Sequence, residues 1–161
     1  MQGGSNQGRM ELHSRRSMVT AVGVTVTSAL AGCLGGNGDE DLGDQELDPD
    51  DWEDVESIEL DGYTRNWIGV SPDHIEDITN PTLLLFEGRE YEISWTNRDG
   101  SPHNIAIRDE DQSVVDDYRT SNKRDRDESQ TLEFEATTEM HEYVCQPHPH
   151  SMIGYLQVED A

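Results

Sequence analysis

Short runs in which apolar side chains take every second position, separated by turn residues, limit this chain to very few architectures. In Glu90 to Thr96, Tyr91, Ile93 and Trp95 fall on one side and Glu90, Glu92 and Ser94 on the other. The same alternation places His103, Ile105 and Ile107 together, then Leu132, Phe134 and Ala136, then His141, Tyr143 and Cys145. A period of two is that of a half-buried strand, because successive strand side chains point to opposite faces. Asn80-Pro81, Glu87-Gly88 and Asn97-Arg98-Asp99-Gly100 carry the residues that turns require. Ser57 to Leu60, Tyr63 to Val70 and Thr82 to Phe86 read as further strands, with Ser71-Pro72-Asp73-His74 as a break. Val114-Val115 reads as a brief edge strand, Asp116 to Ser129 as a polar loop and Ile153 to Glu159 as the closing strand. The pattern predicts seven or eight strands and no amphipathic helix, hence an antiparallel β-sandwich of about 100 residues.

The part before residue 55 has a different character. Met18 to Ala31 is apolar and uncharged, follows the pair Arg15-Arg16, and ends at Leu30-Ala31-Gly32-Cys33. It is short for a membrane span and fits a signal h-region. The ending resembles a lipobox, so residues 1–33 are expected to be an export signal with Cys33 as the lipidated residue. The arginine pair resembles a twin-arginine signal, with a general secretory signal as the alternative. Met10 is a possible translation start. Residues 34–54 are rich in Gly, Asp and Glu and read as a flexible acidic tether. Residues 55–161 are the expected folded domain.

The full chain of 161 residues carries 35 acidic against 11 basic side chains, a formal net charge of -24. That charge excludes nucleic acid as a partner. It suits very high salt, where the Debye length is only about 3 Å at 1 M and self-repulsion is screened.

Tyr143 to Met152 carries the chemistry. Cys145, His148 and Met152 offer a thiolate, an imidazole and a thioether within eight residues, and His103 lies upstream next to Asn104. One thiolate, two imidazoles and a weak thioether suit a single copper ion. A structural zinc site takes four strong nitrogen or sulfur ligands, and Met is not one of them. His150 is the competing imidazole, but it is one side chain too far in register, and two histidines flanking Pro149 cannot easily both face one ion. His141 is expected to pack across strands, His74 to lie on the surface, and Trp67 and Trp95 to fill the core. Pairing of Cys33 with Cys145 is not expected, since each has its own local explanation.

His103-Asn104, followed by Cys145-Gln146-Pro147-His148 and Met152, resembles the cupredoxin (plastocyanin-like) blue copper family over Thr82 to Glu159. With its acidic composition and lipobox, the whole is most similar to the halocyanin branch. The resemblance implies an all-β Greek-key sandwich behind a disordered signal and tether. It implies His103, Cys145 and His148 as equatorial copper ligands, Met152 as the axial one, and Asn104 as the residue tying the two ligand stretches together. It also implies a one-electron carrier cycling between Cu(I) and Cu(II), with the edge of His148 as its electron port. The expected setting is the extracellular face of the cell membrane, lipid-anchored, between a redox donor and acceptor of a respiratory chain. The alternative is a copper-binding or storage lipoprotein with no redox partner. An enzyme is not expected, because the histidines left over do not make a further copper cluster.

Overall fold

The computed structural model describes residues 45 and 47–160. The expected signal, Cys33 and most of the tether lie outside the described residues. Among the described residues, nine strands form two sheets. The first contains β1 (Ser57–Tyr63), β2 (Asn66–Ser71), β4 (Glu90–Asn97) and β7 (Ser129–Glu135) in the order β2-β1-β4-β7. The second contains β3 (Leu83–Phe86), β5 (Ala106–Arg108), β6 (Val114–Arg119), β8 (Glu142–Val144) and β9 (Ile153–Glu159) in the order β3-β9-β8-β5-β6. The alternation works as read: Ile58 and Leu60, Tyr91, Ile93 and Trp95, and Leu132 and Phe134 are buried, while their strand neighbours Glu59, Glu92 and Glu133 are exposed. Trp67 and Trp95 are both buried, their rings edge to face at 5.9 Å, a geometry that aromatic quadrupoles favour.

Three expectations need correction. The sheets are mixed, not antiparallel throughout: β1 runs parallel to β4, and β3 parallel to β9. The edge strand begun by Val114-Val115 continues to Arg119. Asp116 and Asp117 there adopt positive φ and the pairing with β5 shifts register, so the strand is bulged and carries exposed charge, a common guard for a sheet edge. The body also begins before Val55. Asp48 caps a single helical turn, α1 (Pro49–Trp52), by accepting a hydrogen bond from the Asp50 N–H at 3.1 Å, with Pro49 at the first helical position. The turn buries Trp52, whose ring meets that of His74 at 4.5 Å, so His74 is half-buried and not on the open surface. Gln45 is fixed too, its side-chain amide exchanging two 2.8 Å hydrogen bonds with the backbone of Thr82.

His141 packs its ring across β9 on Tyr155 at 5.7 Å. Its neighbour Glu142 is buried and pairs with Arg108 on the adjacent strand β5. Removing one partner from such a pair leaves an uncompensated buried charge. Arg108→Met should therefore destabilise the fold by about 3 kcal/mol in urea titration. Arg108→Met combined with Glu142→Leu should recover most of that loss; a double variant no better than the single one would contradict the assignment.

Candidate metal centre

The register of β5 and β8 builds the site. Ala106 pairs with Val144 in an antiparallel ladder. Continued past the strand ends, the same register brings Ile105 opposite Cys145 and Asn104 opposite Gln146. Asn104 makes that continuation with its side chain: Oδ1 accepts from Gln146 N–H at 2.9 Å, and Nδ2 donates to Gln146 Oε1 at 2.9 Å and to Thr120 O at 3.2 Å. Asn104→Ala would leave the Gln146 amide without its partner. The expected cost is about 1–2 kcal/mol of stability. Faster hydrogen exchange at Gln146 and His148 should accompany it, with the strands themselves unchanged.

His103 is held just before β5 by a two-way backbone bridge to Lys123, with bonds of 2.9 and 2.8 Å. Cys145 follows β8. His148 sits on the turn beyond it, its N–H bonded to Cys145 O at 2.9 Å, and that turn closes when Met152 N–H reaches His148 O at 3.0 Å. Cys145 Sγ lies 3.7 Å from His103 Nδ1 and 3.5 Å from His148 Nδ1, and the three donor atoms fall within 4.8 Å of one another. Two donors each about 2.0–2.3 Å from one ion subtend such separations. Cys145 and His103 are fully buried and His148 is half-buried. A thiol with two imidazoles and no carboxylate in the ring of donors fits a soft or borderline ion such as copper better than a hard one.

The electrostatics agree. Burial pushes the Cys145 thiol up, while backbone N–H groups of Asn104 and His148 pull against it. Without a metal cation the sulfur is a thiol; a cation would hold it as thiolate, the form that ligates. Burial and the neighbouring His103 lower His148, keeping its imidazole neutral and its lone pair available.

The structure places the other sequence candidates plainly. Met152 is fully buried at the base of the loop, with its carbonyl accepting from Cys145 N–H at 2.9 Å. His150 is exposed and outside the donor cluster. Asp99 is the residue that the sequence reading missed. Its Oδ1 lies 2.8 Å from His103 Nε2 and 2.9 Å from Ser101 N–H, and its Oδ2 accepts from Thr64 N–H and Thr64 Oγ1, both at 2.6 Å. Partial burial raises this carboxyl, but the hydrogen bonds from Thr64, Ser101 and His103 outweigh it and hold Asp99 well below the usual carboxylate range. An ionised carboxylate only accepts, so His103 presents an Nε2–H to Asp99, with Nδ1 on the side of Cys145.

Residues 88–159 match the family described as copper binding proteins, plastocyanin/azurin family. No curated protein matches by sequence. Among solved structures, an oxidized amicyanin variant is 20% identical with a TM-score of 0.42, covering 64% of this chain and 82% of that one. Rusticyanin from Thiobacillus ferrooxidans is 16% identical with a TM-score of 0.45, covering 64% of this chain and 76% of that one. The matched segment contains all three members of the donor cluster, so the part of the chain that is similar to the copper binding proteins of the plastocyanin/azurin family is the part that carries the candidate metal centre.

Proposed function

We propose that this chain is a type 1 (blue) copper electron-transfer protein that works at the extracellular face of the cell membrane, held there by a lipid on Cys33. His103, Cys145 and His148 would be the equatorial ligands and Met152 the axial one. The convergence of one buried thiol and two Nδ1 atoms with matching separations carries the reading. A bound copper ion would supply the Cu(I)/Cu(II) couple. The protein's part is to keep the donor positions constant across that couple. The 104–146 clasp ties the two ligand stretches to each other and the backbone bridge to Lys123 holds His103, so little rearrangement should accompany transfer. His148 is the donor nearest solvent, which suits it as the electron port. With so acidic a surface screened by salt, docking of a respiratory donor or acceptor should rest on apolar contact around Pro147 and Pro149. The halocyanin branch is the one that this combination of acidity and lipobox fits.

Voltammetry of the copper-loaded protein tests the carrier reading. A reversible one-electron wave with fast self-exchange is expected. Slow exchange with ready loss of copper would favour storage instead.

A further inference from the structure

His103 is gripped from the side opposite Cys145 by a carboxylate, and that carboxylate is itself built into the fold. Asp99 stands in the turn after β4, which Asn97 shapes by accepting from Asp99 N–H at 3.2 Å and Gly100 N–H at 2.8 Å. Gly100 has φ of +77°, the left-handed conformation glycine adopts without strain. Thr64, on the turn between β1 and β2, clamps Asp99 Oδ2 through two bonds, and its own carbonyl accepts from Ser151 Oγ at 2.7 Å in the loop that carries His148. A chain of hydrogen bonds therefore runs from the Cys145–Met152 loop through Thr64 and Asp99 to His103. It ties one sheet's turns to the other sheet's metal donors. Arg98, the nearest cation on that turn, is turned away to Asp61 and Asp127, so it does not neutralise Asp99.

We propose that Asp99 is a positioning residue of the metal centre, fixing the His103 ring with Nδ1 toward Cys145 and biasing the site toward the more highly charged, oxidised ion. The proposal rests on the copper reading above. A partner on the far nitrogen of a ligating histidine sets its orientation and its basicity. A carboxylate there also brings a full negative charge to the imidazole, which favours Cu(II) over Cu(I) by simple attraction.

Two measurements on the full-length protein test it. In the metal-free wild type, nitrogen-detected NMR of the imidazoles should show His103 protonated at Nε2 alone. In Asp99→Asn, the acceptor-only constraint is gone and a mixture of tautomers should appear. In the copper-loaded proteins, Asp99→Asn should change the Cu(II)-to-Cu(I) affinity ratio at least tenfold toward Cu(I), a rise in potential of 59 mV or more for a one-electron couple. Asp127→Asn removes a more exposed charge from the same turn region and should change the ratio less than twofold. Equal shifts from the two variants would overturn the proposal, as would an Nδ1-protonated His103 in the wild type. The wild-type NMR result stands even if Asp99→Asn fails to fold. A wild-type copper complex without blue colour would count against the function and not against the grip of Asp99 on His103.

Discussion

Replacing Cys145 with alanine is expected to abolish the intense visible absorption of the copper-loaded protein while leaving the sandwich folded. The colour of a blue site comes from charge transfer between thiolate sulfur and Cu(II), and Cys145 is the free cysteine among the described residues. Its sulfur is the member of the cluster common to both short contacts, at 3.5 and 3.7 Å. Cu(II) affinity should fall by more than the roughly 10–100-fold that loss of an outer hydrogen-bond partner costs. The fold should survive, because alanine fills most of the small space of a cysteine and Cys145 N–H keeps its bond to Met152 O. Far-ultraviolet circular dichroism like that of the wild type, with a colourless Cu(II) complex, is the predicted pair of observations. A variant that stays blue would remove Cys145 from the site.

Gly154→Ala is expected to be the most damaging single methyl in the molecule's second sheet. A Cβ at Gly154 would stand 2.3 Å from Tyr143 Cζ and 2.3 Å from its oxygen. The Tyr143 ring cannot step aside: it is fully buried, packs on Trp67 with centroids 6.5 Å apart, and donates from its hydroxyl to Pro81 O at 2.6 Å. Burial pushes that phenol well above its ordinary range, so it remains the neutral donor. Overpacking of a filled core costs about 1–3 kcal/mol, occasionally more. The clash with a ring that is held at both ends puts the expected loss near 3 kcal/mol. Tyr143→Leu ends short of the contested atoms. Gly154→Ala should therefore cost much less in a Tyr143→Leu background than alone, a coupling that a double-mutant cycle reads directly. Strict additivity of the two would contradict the packing described. Because Tyr143 lies two residues from Cys145, Gly154→Ala should also weaken copper binding.

How much of this was legible in the sequence follows from the range of each interaction. The strands were legible where one face is buried and the other wet, as at Tyr91, Ile93 and Trp95, since the pattern is local. The parallel pairings of β1 with β4 and of β3 with β9 were not, because a strand's pattern names its buried face and not its neighbour. Trp52 was hidden in an acidic run whose composition argued for a tether; one buried indole on a capped turn outweighs that average. Glu142 alternates with the face shared by His141, Tyr143 and Cys145, yet it is buried, paired with Arg108 opposite it.

Cys145 and His148 were legible because they are rare residue types three positions apart, whereas His103, 42 residues from Cys145, was legible only through its place beside Asn104 in the resemblance. Asp99 was not, although it lies four residues before His103 in the chain. In Asn97-Arg98-Asp99-Gly100 an aspartate is explained by turn chemistry alone. Its second role appears only when β1, β4 and the ligand loop meet at one end of the sandwich, where Thr64 orients the carboxylate and His103 receives it.

The central claim is that Cys145, His103 and His148 together hold one copper ion through a thiolate and two imidazoles. The visible and electron paramagnetic resonance spectra of the full-length protein loaded with one equivalent of Cu(II) test it most directly. An intense blue absorption band is expected, together with a copper hyperfine splitting compressed by covalency with sulfur. A colourless complex with the wide splitting of an ordinary nitrogen- and oxygen-bound Cu(II) would contradict it.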